Sequence, residues 1–358
     1  MVLDMKKYLI LPLMFACNFA FADGIVIKND DIQLLSMFRF KMQNRFTFET
    51  QDTENLSARV SDFTVRRMRF RLDGSVLDPR LIFKIQTGFS SQDMGADRNS
   101  LMDAAAGWKF TPKTTLWFGQ MKLPGNREQM ISSEDLNLVD RSIVNREFSL
   151  DRDLGVQLHQ EFFEEMPLRF KLALSNGEGR NRENRDSGMS YTGRVEFLPL
   201  GHFKNNGDVV MGDFSFEEKP KLAFGGTYNS MKKVQRTGGT TGSILAEENI
   251  SLSTTVFDFM MKYQGYSWSG EYIKRWINSE NGTYGDGFSS QLGKMLEKNF
   301  EPVIRYSQIT GSEELKQSTL GLNKYLRNHR IKLMTDMSYS DGPGRSYWTY
   351  RFQFDLGI

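Results

Sequence analysis

The sequence lacks three things: cysteine, clustered histidine and an excess of one charge. A single cysteine, Cys17, cannot build a disulfide scaffold. The three histidines are scattered and have no cysteine beside them, so we expect neither a metal centre nor another cofactor. The 46 basic residues are nearly balanced by 44 acidic ones, which argues against a nucleic-acid-binding protein.

Long apolar runs are missing as well. A helical membrane protein needs stretches of about 20 apolar residues, and only the extreme N-terminus approaches one. The mean hydropathy is −0.47, although the chain contains 28 phenylalanines. A disordered chain would not be so rich in aromatic residues. The apolar residues are therefore distributed singly through a folded chain that is polar on average.

The N-terminus has the composition of an export signal. Two lysines precede a largely apolar run at residues 8–19. Ala20-Phe21-Ala22 then places small residues at the positions that a signal peptidase reads. We therefore predict that residues 1–22 are a cleaved signal peptide and that residues 23–358 form the exported domain.

The position of Cys17 leaves one alternative, which is lipoprotein processing at this residue. The preceding Met14-Phe15-Ala16 is bulky for that reaction, so cleavage after Ala22 is the better interpretation. The exported chain then contains no cysteine. It must depend on extensive secondary structure for its stability, since disulfides are excluded.

The exported part alternates between apolar and polar residues with a period of two, as a β-strand does. One face of the first segment is apolar: Phe38, Phe40, Met42, Phe46 and Phe48. Its other face is polar: Arg39, Lys41, Gln43 and Arg45. Strands of soluble proteins are usually about 5–6 residues long. Several segments here run to about ten or more, the length that a tilted strand needs to cross a bilayer.

About sixteen such segments follow one another along the chain. They lie at 34–49, 60–76, 80–90, 101–110, 114–123, 154–163, 168–176, 190–198, 220–229, 252–263, 266–276, 287–296, 299–309, 316–326, 330–339 and 346–358. Each is bounded by turn-forming residues, so the sequence predicts a succession of antiparallel hairpins.

The connections alternate between short turns and long loops. The long ones lie at 50–59, 91–100, 124–153, 177–189, 230–251, 277–286, 310–315 and 340–345. Short turns at one rim and long loops at the other are typical of an outer-membrane barrel. The exception is 199–219, a long stretch where a short turn is expected. It is either an extended periplasmic turn or a miscounted strand.

We therefore predict an all-β fold, a transmembrane antiparallel barrel of about sixteen strands. Its outward side chains would contact outer-membrane lipid, and its polar side chains would line a lumen. A soluble β-barrel is the alternative. The strand lengths and the difference between the two rims disfavour it.

Basic residues concentrate on the predicted lumen faces and in the longest loop. Candidates on the strands are Arg66, Arg67, Arg69, Arg71, Arg39, Lys41, Lys84 and Lys122. The loop at 124–153 adds Arg127, Arg141, Arg146 and Arg152. Arginine offers a planar fork that matches phosphate oxygens, and a ring of such charges selects anions in a pore. The same loop also contains acidic residues, so the basic groups could equally be balanced lumen charges.

The chain resembles the phosphate-selective porin O and P family. The resemblance rests on several stretches in the family's order: 65–74 (VRRMRFRLDG), 118–124 (FGQMKLP), 131–133, 140–142, 151–156 (DRDLGV), 175–177 and 191–195 (YTGRV). The second half matches more loosely through 270–272 and 321–326 (GLNKYL). Two features depart from the family. The chain ends in Ile358 instead of an aromatic residue, and its lumen is not strongly basic overall.

The resemblance implies a sixteen-stranded trimeric barrel whose third long loop, here 124–153, folds inward and narrows the pore. Phosphate-selective members have paired strand arginines and a loop arginine at the constriction. Arg66 and Arg67 match the pair, and Arg141 matches the loop residue. Neighbouring residues on a strand point to opposite sides, so both members of the pair reach the pore only if the strand bulges or ends there.

Our hypothesis from the sequence is a passive outer-membrane porin for small anions, with phosphate as the candidate solute. Arg66, Arg67 and Arg141 would form the constriction, and the other basic residues would line the approach. We expect a homotrimer and no enzymatic activity. The alternatives are a general or weakly cation-selective porin, a surface barrel with a plugged lumen, and a lipid hydrolase. A hydrolase would need a serine beside one of His159, His202 and His329.

Overall fold

A computed structural model describes residues 25–30, 33–94, 98–183, 188–244, 250–278, 285–311 and 314–358. The predicted signal peptide, residues 1–22, lies outside the described residues. Within them, no helix is both long and apolar enough to cross a bilayer.

In the described part of the chain, seventeen strands, each antiparallel to its neighbours, make up nearly all of the regular structure. They are β1 (Ile25–Asn29), β2 (Leu34–Thr50), β3 (Ala58–Val76), β4 (Asp78–Gly88), β5 (Leu101–Thr111), β6 (Thr114–Lys122), β7 (Arg152–Phe162), β8 (Leu168–Ser175), β9 (Ser190–Phe197), β10 (Lys221–Val234), β11 (Ile250–Tyr263), β12 (Tyr266–Asn278), β13 (Gly285–Lys294), β14 (Phe300–Thr310), β15 (Leu315–Arg327), β16 (Ile331–Gly342) and β17 (Arg345–Gly357).

Strands β2 to β17 close into a sixteen-stranded barrel. Each pairs with the next along the chain, including β9 with β10, and β17 pairs with β2 to complete the ring. Arg45 on β2 lies opposite Gln353 on β17 at this closure. The predicted fold is confirmed, and the sixteen predicted segments correspond to β2–β17 with small shifts at their ends.

Within the described residues, β1 is the one strand that the alternation did not predict. It pairs with residues 34–38 of β2, along the same edge that β17 occupies further up. The chain end meets this edge too, because the Ile358 N–H donates to the Phe40 carbonyl. Both ends of the described chain therefore lie at the rim with the short turns. Five residues give too short a pattern to distinguish from the end of an export signal.

The two rims differ much as the sequence predicts. The short turns include Leu77 alone between β3 and β4, and Gln264-Gly265 between β11 and β12. Both residues of the second turn have positive φ, 46° and 83°, as two-residue hairpin turns require. One expected loop is wrong in length: the stretch 340–345 is mostly strand, and only residues 343–344 separate β16 from β17.

Among the residues that the structure describes, two long segments fold into the lumen, one from each rim. The first is residues 123–151, between β6 and β7, which we call the inner loop. It contains the short helices α1 (Arg127–Met130) and α2 (Ile143–Phe148). The second is residues 198–220, between β9 and β10, which we call the inner turn. It contains a 3-10 helix at Lys204–Val209. The exceptional stretch 199–219 is therefore an extended turn and not a missed strand.

Apolar patches on the barrel's inner surface hold these two segments. Strand β11 faces the lumen with Leu252, Val256 and Met260, each no more than 1% exposed. Val256 packs with Ile143, Val144 and Phe148 of the inner loop, together with Ile273 and Ile309 of the wall. Met260 lies in a cluster with residues of both segments: Ile131, Leu136, Phe203 and Met211. Burial of these side chains stabilises the segments inside the barrel.

One glycine of the barrel wall has a backbone conformation and a close backbone neighbour that other residues would not tolerate. Gly119 on β6 has φ +131°, and an added Cβ would lie 2.2 Å from the Ala104 carbonyl oxygen. We expect Gly119→Ala to destabilise the barrel by about 1–3 kcal/mol, because the β5–β6 ladder must shift. The measurement is the temperature at which the folded barrel loses its heat-modifiable mobility in an SDS gel.

Gly226→Ala on β10 is the matched control, because its added methyl group meets nothing within 4 Å in the described structure. An equal loss of stability in both variants would contradict the steric argument for Gly119.

Candidate functional site

A bulge in β3 brings two neighbouring arginines to the same place. Arg67 lies opposite Gln43 of β2, but the next residue of β2, Asn44, lies opposite Val65. Arg66 is the extra residue between these two pairs. Both guanidinium groups reach Asp140 of the inner loop: Arg66 Nη2 is 3.1 Å from Oδ2, and Arg67 Nη2 is 3.3 Å from Oδ1. Because the strand bulges at Arg66, the side chains of both Arg66 and Arg67 face the lumen.

Asp140 accepts hydrogen bonds from a third arginine, Arg45 of β2, whose Nη1 lies 2.9 Å from Oδ2. Burial acts to raise the pKa of the Asp140 carboxyl, but the guanidinium groups of Arg45, Arg67 and Arg66 outweigh it and hold that pKa well below its ordinary value. Asp140 is therefore ionised under physiological conditions. We call Asp140 with Arg45, Arg66 and Arg67 the arginine cluster.

Arg141, the loop arginine of the sequence hypothesis, points elsewhere. Its Nε donates to the Glu128 carbonyl at 2.9 Å, and its Nη2 donates to the Ile131 carbonyl at 2.7 Å. These contacts tie two parts of the inner loop together. Arg45, and not Arg141, is the third arginine that binds Asp140. The sequence places Arg45 on the polar face of the first strand, but it does not show that the strand register brings Arg45 next to the β3 bulge.

The basic residues predicted along the wall each lie beside a carboxylate or a loop group. Arg39 and Arg71 both contact Asp73, at 2.8 Å and 2.7 Å. Arg69 contacts Asp93 in the loop between β4 and β5, and its Nη1 donates to Ser133 at 3.1 Å. Lys41 also donates to Ser133, at 3.2 Å. This part of the wall is therefore largely charge-compensated.

Lys84 and Arg152 share one buried carboxylate, Asp103. The Lys84 ammonium lies 3.3 Å from it, and Arg152 Nε lies 2.8 Å from it. Lys122 donates to three successive carbonyls of the inner loop, at residues 129–131. Its charge therefore holds the start of that loop.

The two remaining loop candidates differ in burial. Arg127 is 3% exposed and binds Asp258 at 2.9 Å and Glu196 at 3.5 Å, which anchors the loop to β11 and β9. Arg146 lies exposed near the end of α2. These two residues and the wall candidates are therefore not gathered at one point.

The inner loop crosses the lumen and contacts the opposite wall. Asn137 donates to Glu301 of β14 at 2.8 Å. The Lys332 ammonium of β16 donates to the carbonyls of Glu134 and Leu136. The Val139 N–H donates to Asp336, also on β16. Contacts on several strands fix the position of Asp140 relative to the arginines of β2 and β3.

The inner turn packs against the inner loop from the short-turn rim. The Met211 N–H donates to the Asp135 carbonyl at 2.9 Å, and His329 donates to the Met211 carbonyl at 2.8 Å. Lys262 of β11 donates to the Val210 carbonyl at 2.9 Å. Asp213, which is 1% exposed, accepts the Gly265 N–H at 2.7 Å. The turn therefore narrows the lumen below the loop.

A cavity of about 760 Å³ remains between these two segments and the wall formed by β2, β3 and β17. Charged groups of both signs line it, including Arg39, Lys41, Arg71, Glu134 and Asp135. It lies on the short-turn side of the arginine cluster, along the same two strands that carry the cluster.

The three imidazoles make no arrangement typical of a hydrolase. His159 contacts the Gln157 side chain, His202 contacts Arg169, and His329 contacts the Met211 carbonyl and the Lys332 ammonium. A serine is not among these partners in the part of the chain that the structure describes. Within that same part, no group of three or more candidate ligands could hold a metal ion.

The sequence profile of the family described as "Phosphate-selective porin O and P" matches residues 38–287. The chain belongs to this family. No curated protein matches the chain in sequence. The match covers most of β2, all of β3–β12, the inner loop, the inner turn and the start of β13, so it contains the whole arginine cluster.

Solved structures share the fold at low sequence identity. An anion-selective porin from Comamonas acidovorans is 10% identical with a TM-score of 0.64, and the match covers 90% of this chain and 99% of that one. The outer membrane channel DcaP of Acinetobacter baumannii is 10% identical with a TM-score of 0.57, covering 94% and 100%. OmpT of Vibrio cholerae is 12% identical with a TM-score of 0.57, covering 93% and 100%.

The family and the barrel together identify this porin as an outer-membrane channel. Alternate side chains of its strands point outward, such as Phe257 at 61% exposure, while their neighbours, such as Asp258, face the lumen.

Shortening the inner turn tests its contribution to the constriction. We expect replacement of residues 200–219 by Asn-Gly to raise the single-channel conductance roughly twofold, because the short-turn side of the lumen opens. Planar-bilayer recordings provide the measurement. Shortening the loop at 51–57, which lies between β2 and β3 outside the lumen segments, is the control. A conductance equal to that of the unaltered channel would show that the inner turn does not limit the current.

The carboxyl group of Asp135 should make the ion selectivity of the channel depend on pH. Burial and the neighbouring Glu134 raise the pKa of its carboxyl to about 7, against the opposing effect of Lys41, Lys332 and Lys122. Acidification from about pH 8 to about pH 6 should protonate Asp135 and remove one negative charge, so the reversal potential should move toward anion selectivity. Asp135→Asn should reduce this shift.

Glu218→Gln, at an exposed carboxylate of the inner turn, is the control for the pH series. His329 does not contribute, because burial and Lys332 hold the pKa of its imidazole well below its ordinary value. A pH shift of unchanged size in Asp135→Asn would assign the titration to another group.

Proposed function

We propose that this porin conducts small anions passively and that the arginine cluster gives it an anion preference. The observation that carries the proposal is the unequal charge around Asp140, where three guanidinium groups share one carboxylate. Nearby, Arg351 donates from Nε and Nη2 to the two carboxylate oxygens of Asp336, at 2.7 Å and 2.9 Å. This pair is neutral, so it does not alter the net charge around Asp140. The cluster therefore has a net positive charge inside a narrow lumen, where such charges raise the local anion concentration.

Phosphate is the candidate solute in this proposal. Arg66 is the most exposed of the three arginines, with 21% of its side chain accessible against 7% for Arg45 and Arg67. Guanidinium groups bind phosphate oxygens in a bidentate geometry. A phosphate near Arg66 would compete with Asp140 for the same donors, which keeps the binding weak enough for the ion to leave. Arg69 and the pair at Arg39 and Arg71 would continue the basic wall below it.

Two of the solved structures that share the fold are consistent with this proposal. The Comamonas acidovorans structure that shares the fold is described as an anion-selective porin. OmpT of Vibrio cholerae is described in a trimer form. We propose that the present porin is also a homotrimer, and that residues 1–22 direct its export.

A general porin is the second candidate, and the wall itself favours it. Asp73, Asp93 and Asp103 compensate the basic residues outside the arginine cluster. If these pairs dominate the potential of the lumen, the channel discriminates weakly between anions and cations.

Reversal potentials under a salt gradient separate the two candidates. We expect anion selectivity in the unaltered channel and a loss of about two- to threefold in the anion-to-cation permeability ratio for each of Arg66→Gln and Arg67→Gln. Asp140→Asn should act in the opposite direction, because it removes the carboxylate that the arginines share. Chloride current blocked by added phosphate should recover in Arg66→Gln.

Arg80→Gln is the matched control for these variants, because Arg80 is exposed at the short-turn rim, where it pairs with Asp78. Cation selectivity in the unaltered channel would overturn the anion proposal. Phosphate block that is unchanged in Arg66→Gln would remove that residue from the phosphate site.

A further inference from the structure

One edge of the β2–β3 hairpin is open. Strand β3 pairs with β2 from Ala58 onward, but on its other side pairing with β4 begins only at Arg69, opposite Gly88. In the described part of the chain, residues 58–65 have no strand partner on that side, and all eight are exposed. The barrel wall therefore drops in height at β3 and leaves an unpaired sheet edge above β4.

The side chains around this edge belong to the apolar outer face of the barrel. Phe63 is 82% exposed and Val65 is 49% exposed. The Phe63 ring packs on Phe46, with 4.7 Å between centroids, and Phe46 lies opposite Phe352 of β17. Tyr350 is two residues closer to the long-loop rim on the same face of β17. Since tyrosine and tryptophan mark the interfaces of a membrane barrel, Phe63 lies at the level of the apolar band.

A bilayer does not tolerate an open sheet edge. Hydrocarbon offers no hydrogen bonds to the N–H and C=O groups of an unpaired strand, so lipid-exposed edges do not occur at this depth. In water the same edge is a template for pairing with another chain. We therefore expect a protein partner at residues 58–65 in the membrane.

An outward-facing amide beside the edge indicates the same. Asn44 of β2 lies opposite Val65 on one side and Phe354 of β17 on the other. It alternates with Gln43 and Arg45, which face the lumen, so its own side chain points outward. Among the described residues, no side-chain hydrogen bond engages its amide. Lipid cannot satisfy this group, whereas a protein surface can.

The strands that follow β3 are poorly matched to lipid at their long-loop ends. The only tryptophans of β4–β8 in the described chain, Trp108 and Trp117, lie toward the short-turn ends, and these strands contain no tyrosine. On the other side of the barrel, Trp276 is exposed near the long-loop rim. Strands β8 and β9 have only eight residues each, fewer than the about 9–11 that cross a bilayer.

We propose that a second copy of this chain covers the open edge of β3 and the adjacent outer face of β4–β9, and that this contact holds the bulge that carries Arg66 and Arg67. The proposal rests on the homotrimer of the proposed function. It adds which surface makes the contact and what the contact does for the pore.

Another copy is the partner that fits this surface best. It spans the same membrane at the same depth, and it has an apolar outer face of its own. The face to be covered is also apolar: Phe118 of β6 is 67% exposed and lies opposite the small side chain of Ala106. Because the open edge and this face are different surfaces from the rest of the barrel, a ring of copies can close around them.

The link to the pore is the position of the bulge. Arg66 follows directly on the open stretch 58–65, and on that side its carbonyl accepts a hydrogen bond from the Ser90 hydroxyl at 3.1 Å. Above it, β3 is held by β2 alone in the described structure. A partner along this edge would therefore fix the strand from which Arg66 and Arg67 reach Asp140.

A photo-crosslinking residue identifies the occupant directly. With p-benzoylphenylalanine in place of Phe63 in the intact porin, irradiation of outer-membrane vesicles should give an adduct with the mass of two copies. The same replacement at Phe257 of β11, outside the proposed contact, is the matched control and should give no such adduct. Adducts of position 63 with lipid alone, or with a different protein, would overturn the proposal.

The stability of the assembly provides a second measurement. We expect Phe63→Ser to lower the temperature at which the porin separates into folded single copies on an SDS gel by about 5–10 °C, because a large apolar contact is lost. Phe257→Ser is the control and should leave this temperature unchanged. Equal effects of the two variants would contradict the proposed surface.

Asn44 gives a test that depends on the sign of the change. Removal of an amide from lipid stabilises a barrel, whereas removal from a hydrogen-bonded contact between copies weakens the contact. We expect Asn44→Leu to lower the separation temperature. Gln308→Leu, at an outward amide of β14 that accepts from Tyr306 at 3.0 Å, is the control and should not change it. A rise in Asn44→Leu would place the amide in lipid and contradict the proposal.

Reversal potentials in a salt gradient test the effect on the pore. We expect Phe63→Ser to lower the anion-to-cation permeability ratio about twofold and Phe257→Ser to keep it. An unchanged ratio in Phe63→Ser would overturn the part of the proposal that concerns the bulge. Two-copy adducts at position 63 without anion selectivity in the unaltered channel would contradict only the anion proposal. Anion selectivity with adducts to lipid alone would contradict only the contact.

Discussion

The closed backbone ladder from β2 round to β17 is the constraint on which the rest of this protein depends. Lipid provides no partners for backbone N–H and C=O groups, so each strand must bond to two neighbours, and the last strand must return to the first. The pairing of β17 with β2 completes this ring. Once it is closed, alternate side chains must face either lipid or the lumen, and the lumen becomes an enclosed space in which charges act strongly on one another.

The lumen of this barrel is occupied by two segments of the chain, and both polar and apolar contacts hold them. Strand β11 has three apolar residues on its lumen face, Leu252, Val256 and Met260. At such positions the strands of a water-filled pore have polar residues. The three apolar residues pack against the inner loop and the inner turn. Buried ion pairs also fix the orientation of these segments relative to the wall. For example, Arg127 of the inner loop binds Asp258 of β11. The cavity that remains beside these segments lies along the β2–β3 wall, where basic residues lie.

Most of the positive charge in the lumen is compensated nearby. Most basic residues of the wall lie beside a carboxylate of the barrel or of a neighbouring loop, so the charges balance along the wall as they do in the sequence as a whole. The arginine cluster is different, because the bulge in β3 places Arg66 and Arg67 on the same side and Arg45 reaches the same carboxylate. An imbalance of charge at one point can therefore exist in a chain that is neutral overall.

The sequence alone determined the barrel, because side-chain alternation and turn length are local properties of each hairpin. The period of two located β2–β17, and the unequal connections distinguished the two rims. It also showed that Arg66 and Arg67 could act together only at a bulge. It left open whether 199–219 is an extended turn or a missed strand, and it did not reveal that this turn folds into the lumen, the role of Arg141 within the loop, or Arg45 as the third partner of Asp140. Those features arise from contacts across the lumen, such as the 95 residues that separate Arg45 from Asp140. Only the tertiary structure decides which side chains meet across a closed barrel, because that depends on strand register and on how far each loop reaches inward.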